Sequence, residues 1–103
     1  MGERVVRKHA KWMAKPDDRI LEYCSRHGPQ RPLELRDGLR TVARDLNLPL
    51  VYVEKRCEIL SDYGLLEHDF RSRRYESTSF AEEYLDGVLD AGRLKNGGPT
   101  RYR

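Results

Sequence analysis

Apolar residues recur along most of the chain at the three- and four-residue spacing of helices, and one short stretch breaks that rhythm with strand-like runs. A first helix is predicted from near Pro16, with Asp17 and Asp18 in its first turn, where acids favour the positive end of the helix dipole. Ile20, Leu21 and Cys24 supply its apolar face, and "HGPQRP" (27–32) stops it. A second apolar stripe, Leu35, Leu39, Val42, Ala43 and Leu46, contains Gly38, which costs about 1 kcal/mol in a helix interior. The expectation is therefore an extended or irregular piece near 31–34, followed by a helix that is firm over 39–46. "NLP" (47–49) is turn chemistry.

The third helix is predicted over 49–63, "PLVYVEKRCEILSDY", with Leu50, Val53, Cys57 and Leu60 facing inward. Gly64 ends it. "LLEHDF" and "RYEST" then read as two strands around a cationic tip of Arg71, Ser72, Arg73 and Arg74. The last helix opens on Ser79-Phe80-Ala81-Glu82, the pattern of a capping box, and carries Phe80, Tyr84, Leu85, Val88 and Leu89 on one face. Two helices joined by a few residues and followed directly by a hairpin give a fold that is mostly α with a small β-hairpin wing (α+β), a winged helix-turn-helix.

The outward side of the third helix gives this order a chemical meaning. Val51, Tyr52 and Lys55 point away from the apolar face and Arg56 lies on its flank, so these four are the expected base-contacting residues in a DNA major groove. The wing residues Arg71, Ser72, Arg73 and Arg74 would hold the backbone or enter the minor groove. Weaker backbone contacts are expected from Arg40, Thr41 and Arg44 and from Arg4, Arg7, Lys8 and Lys11. The alternative for the outward side is an ordinary charged surface, because Glu54 and Glu58 lie beside it and repel phosphate.

Length and charge narrow the choice. A chain of 103 residues, 38% of them apolar, has room for one modest core. Its net charge of +3 is unevenly spread: residues 1–11 carry +3, residues 12–92 carry −4 and residues 93–103 carry +4. The division predicted is a basic N-terminal arm (1–15), a winged-helix domain (16–91) and a basic flexible tail (92–103). Basic ends suit a polyanion such as duplex DNA, although solubilising ends would have the same composition. The apolar face of the last helix, Phe80, Tyr84, Leu85, Val88 and Leu89, is either core or the contact surface of a homodimer.

Nothing argues for catalysis. His9, His27 and His68 lack metal-ligand spacing, and no cofactor, metal or small-molecule site is evident. Cys24 and Cys57 occupy apolar helical positions and read as buried reduced thiols of a cytoplasmic protein. Trp12 reads first as packing, because an indole mainly contributes apolar area, with anchoring of the arm to the body or to a second subunit as the alternative. No stretch is apolar and long enough to span a bilayer.

"WMAKPDDRILEY", "VARDLNLPLVYVEKRCEILSDYGLLE" and "AEEYLDGVLDAG" resemble the small phage-repressor-like winged-helix regulators of halophilic archaea, over roughly residues 12–92. The resemblance implies a viral-type repressor or transcriptional regulator that binds duplex DNA as a homodimer. Two other classes stay open: a winged-helix module for protein–protein contact, and an architectural DNA binder that ignores sequence.

Overall fold

Each of the four apolar stripes at helical spacing forms a helix over most of its length, and the order is helix, helix, helix, hairpin, helix. In the computed structural model, which describes residues 5–97, these are α1 (Asp17–His27), α2 (Pro32–Val42), α3 (Leu50–Asp62), β1 (Leu66–Asp69), β2 (Arg74–Ser77) and α4 (Ser79–Leu85). A single 3₁₀ turn, Ala91–Arg93, follows. Ile20, Leu21, Cys24, Leu35, Leu39, Val53, Cys57, Leu60, Leu65, Leu66, Tyr75, Ala81 and Tyr84 form one core between the helices and the inner face of the hairpin. The fold is a winged helix. No helix among the described residues is long and apolar enough to cross a membrane.

The strands pair antiparallel with Leu66 opposite Ser77 and His68 opposite Tyr75. Gln30 adds a one-residue third strand: its N–H donates to Tyr75 O at 2.9 Å and its carbonyl accepts from Tyr75 N–H at 2.7 Å. The extended or irregular piece expected near 31–34 is not there: the bridge is at Gln30, and residues 32–34 are already helical. α2 starts earlier than expected and ends earlier. Pro32 occupies its first turn, and the Glu34 carboxylate accepts from Arg31 N–H at 2.8 Å. Gly38 does not interrupt it; a Cβ there would collide with the Tyr23 phenol, so the glycine lets the Tyr23 ring of α1 lie close against α2. Val42, expected in the core, is exposed as the last residue of the helix.

α4 also departs from expectation. Its cap is Thr78, whose Oγ1 accepts from Ala81 N–H at 3.3 Å and donates to Gly64 O at 2.7 Å. Ser79 is already helical, and Glu82 instead accepts from the hydroxyls of Ser25 and Ser77. The helix stops at Leu85, so Val88 and Leu89 lie beyond it. Gly87, at φ 80°, turns the chain where a Cβ would stand 2.8 Å from Val6 O. The predicted dimer face is corrected accordingly: Tyr84 and Leu85 are core, Phe80 and Leu89 pack against the core, and Val88 alone stays well exposed.

What crosses between elements is a buried polar cluster at the start of α1. Asp17, fully buried, accepts two bonds from the Arg56 guanidinium, 2.9 Å from Nε and 2.7 Å from Nη2, and a third from Ala14 N–H at 2.9 Å. The same guanidinium donates to Trp12 O at 3.1 Å. Asp18 accepts from the Tyr84 hydroxyl at 2.7 Å and from Arg7 at 3.2 Å, and the His9 ring lies 3.2 Å from it. The dipole reading of Asp17-Asp18 understated them: these carboxylates join the N-terminal segment to α1, α3 and α4. From residue 5 onward the segment expected as a basic arm is folded against the body. Arg7 Nε donates to Leu85 O at 3.0 Å, Ala91 N–H donates to Lys8 O at 3.0 Å, and Trp12 stacks on Tyr63 at 3.8 Å. The expected tail is folded in part, since Gly92 and Arg93 belong to the 3₁₀ turn and Leu94 packs on the core.

Removing one member of a buried ion pair strands the other, at about 3–5 kcal/mol. Asp17→Asn and Arg56→Met are each expected to destabilise by that order in urea unfolding. The double variant should cost clearly less than the sum, and additive costs would show that the pair is not coupled. For Asp18, burial pushes the carboxyl up, but the Tyr84 hydroxyl, His9 and Arg7 outweigh it and hold it below its ordinary value. The unfolded chain therefore takes up this proton first. The stabilisation is whole above the ordinary carboxylate range of about 4 and is lost as pH falls through the lower folded value. Unfolding measured from pH 7 to pH 3 should show this acid loss, and Asp18→Asn should flatten it.

Candidate nucleic-acid interface

α3 begins at Leu50 with Pro49 as its cap, so its first turn stands free of side-chain capping. Its buried positions are Val53, Arg56, Cys57 and Leu60, spaced three, one and three apart. Turning the helix to bury these leaves Val51, Glu54, Lys55 and Glu58 in solvent and Tyr52 half-buried. Val51 is 71% exposed at the end of the helix that leads.

Arg56 is a correction to the expected contact set. Its guanidinium is 9% exposed and engaged with Asp17 and Trp12, which also raises its pKa, and it is turned away from any outside ligand. The signal was present in the sequence: Arg56 lies three residues after Val53 and four before Leu60, inside the apolar stripe. An arginine there is stabilised only if a carboxylate from another element comes to meet it.

The wing is braced from below. Asp69, the last residue of β1, accepts from Arg71 N–H at 3.0 Å and from the Ser72 hydroxyl at 3.0 Å, and these bonds hold its carboxyl below the usual carboxylate range. Arg31 Nε donates to Ser72 O at 3.0 Å and Arg74 Nη2 to Glu34 at 3.0 Å, tying the turn to the start of α2. Arg74 and Ser72 are thus partly spent on the fold. Arg71 and Arg73 are exposed, and neither makes a side-chain hydrogen bond or ion pair among the described residues. Arg73 has φ 62°, a left-handed conformation costing a non-glycine residue about 1–2 kcal/mol.

Arg40 and Arg44 are likewise exposed at the end of α2 and after it. Thr41 is exposed too, with its hydroxyl donating to Gly38 O at 2.6 Å. The N-terminal cations separate into groups. Arg7 is committed to Asp18, Glu22 and Leu85 O, Lys8 and Lys11 are exposed, and Arg4 lies outside the described residues, as do Arg101 and Arg103. Their segment runs against Arg56 and Tyr63, the middle and end of α3. Tyr63 is about 18 Å along the axis from Val51, so Lys8 and Lys11 are carried by a different part of the surface from the leading turn.

Cys24 and Cys57 are buried and unbridged, and burial pushes the Cys24 thiol up to about 12 and Cys57 up as well. Among the described residues no cluster of three or more His, Cys, Asp or Glu could hold a metal ion.

Comparison with known proteins gives this arrangement a family. Residues 6–97 match the model of the winged helix-turn-helix phage repressor. The solved structure of the PhiH1 repressor-like protein from Haloarcula marismortui is similar to this one, with a TM-score of 0.77 and 31% sequence identity over 90% of this chain and 99% of that one. No curated protein matches the chain. The matched span takes in the N-terminal segment and the 3₁₀ turn as well as the helices and the wing. The chain belongs to the winged helix-turn-helix phage repressor family, whose members are repressor-like DNA-binding regulators.

Proposed function

We propose that the protein is a transcriptional repressor that recognises a specific sequence in duplex DNA. The leading turn of α3 enters the major groove, and the wing tip lies on the flanking backbone. The observation that carries this reading is a contrast among the cations of α2, α3 and the wing: Arg56 and Arg74 are engaged internally, whereas Lys55, Arg71, Arg73, Arg40 and Arg44 are exposed and have no internal partner among the described residues. Val51, Tyr52 and Lys55 read bases, Val51 against thymine methyl groups and Lys55 at a guanine edge. Arg71 and Arg73 neutralise phosphates, with Arg40, Thr41 and Arg44 beside them. Lys8 and Lys11 contribute long-range attraction. Pairing of two copies on an operator belongs to the same proposal, as does action in the cytoplasm. Among the exposed apolar side chains, Val5, Val6 and Val88 lie around Gly87 and offer a patch for pairing.

One observation favours a second reading. Glu54 and Glu58 flank Lys55 on the exposed side of α3, and acids there suit a protein partner better than phosphate. Fluorescence anisotropy on a random-pool duplex across a salt series separates the two. The DNA reading expects saturable binding that weakens with salt, and absence of binding at every salt concentration would move the assignment to a protein-docking surface.

On a duplex selected from that pool, Lys55→Ala should raise Kd by about tenfold or more, the size of one base contact. Arg71→Ala with Arg73→Ala should reduce the slope of log Kd against log salt by about two, one for each lost phosphate contact. Arg73→Gly provides a clean control. Relief of the left-handed strain offsets the chain entropy of glycine, so unfolding free energy should stay within about 1 kcal/mol while DNA affinity falls. A loss of stability without loss of affinity would show that Arg73 serves the turn and not a ligand.

A further inference from the structure

Phe70 is 82% exposed, more than any other large apolar side chain among the described residues, and it stands at the first position of the wing turn. A single exposed phenylalanine is unremarkable by itself; its surroundings give it meaning. Its ring lies 4.4 Å from that of His68, which stacks at 4.2 Å on Tyr75, a member of the core. An aromatic series therefore climbs from the core to the tip of the wing, on a turn held by Asp69 and by Arg31. Phe70 is followed by Arg71 and Arg73, the two guanidinium groups of the wing without a partner among the described residues.

The other face of the hairpin limits what can approach. Glu67 and Glu76 are exposed and stand directly opposite each other in the register, an unfavourable pairing of like charges. A polyanion is repelled by the blade of the wing and attracted by its tip. There it meets one apolar ring close to two cations. The edges of the DNA minor groove, where apolar sugar faces alternate with phosphates, match that pattern.

The geometry points to Phe70 as the wing residue that enters the minor groove and packs on its sugar edges, with Arg71 and Arg73 on the adjoining phosphates. This inference rests on the DNA-binding reading above and adds a contact that carries no charge.

The test uses the whole chain and its Phe70→Ala and Phe70→Leu variants on a duplex that the parent protein has selected from a random pool. Kd is measured across a salt series, together with hydroxyl-radical footprinting of the sugars. Phe70→Ala should raise Kd by about tenfold, the order expected for losing a buried aromatic contact. Its salt slope should equal that of the parent, because no cation is lost. Protection should disappear at minor-groove sugars on the flank of the site, and Phe70→Leu should keep most of both affinity and protection. The melting temperature of both variants should match the parent, since the ring is largely in solvent. Parent affinity and parent footprint in Phe70→Ala would overturn the inference while leaving the DNA reading intact. So would a fall in melting temperature accompanied by a changed salt slope, which would make the ring a brace for the turn. If the parent protein selects no duplex at all, the DNA reading fails and this contact fails with it.

Discussion

The buried bidentate pair between Asp17 and Arg56 determines how the exposed surface is oriented. α3 has apolar residues enough to pack, but Val53, Cys57 and Leu60 would tolerate some rotation about the helix axis. An arginine committed to a fixed carboxylate tolerates far less, because a misplaced guanidinium would be left without its partner in a low-dielectric interior. The pair therefore sets which residues α3 turns outward. Trp12 and Ala14 join it from the N-terminal segment, and Asp18 extends it to Arg7, His9 and Tyr84. One polar cluster thus holds the N-terminal segment, α1, α3 and α4 in register. The capacity of α3 to present Val51, Tyr52 and Lys55 depends on groups on the far side of the helix.

The element order was legible because each element has its own spacing and its own stop. His27-Gly28-Pro29 ends α1, Gly64 separates α3 from the hairpin, and the alternation around "RSR" marks the wing. The bounds of α2 and the cap and end of α4 were local misreadings; the misassigned side chains share another cause, a role set by a residue distant in sequence. Gly38 looked like a helix breaker until Tyr23 was seen above it. Arg56 looked like a contact residue because nothing local identifies Asp17 as its partner, thirty-nine residues away. Tyr84 and Leu85 looked like spare apolar surface, since the segment that covers α4 comes from the opposite end of the chain. Charge composition misled in the same way, by counting Arg7 and Arg74 as available when both are paired.

The exposed side of α3 carries one cation between two acids, so charge alone gives it little attraction for DNA. In the proposed complex the wing tip supplies the attraction, with Arg71 and Arg73 on a turn that holds Arg73 in a left-handed conformation. A strained non-glycine residue is retained where its side chain is worth more than the strain it costs. On this view affinity comes from the wing and the end of α2, and discrimination from Val51, Tyr52 and Lys55. Such a division would make binding strength sensitive to salt and sequence preference much less so.

Amide chemical-shift mapping with a selected duplex, extended to the Arg56 Nε–H resonance, addresses the central claim most directly. Shift changes should concentrate at residues 40–55 and 69–74, and the Arg56 resonance should stay in place, still protected by Asp17 in the complex. Changes centred on α4 and the N-terminal segment, or an Arg56 resonance that moves and loses protection on binding, would contradict it.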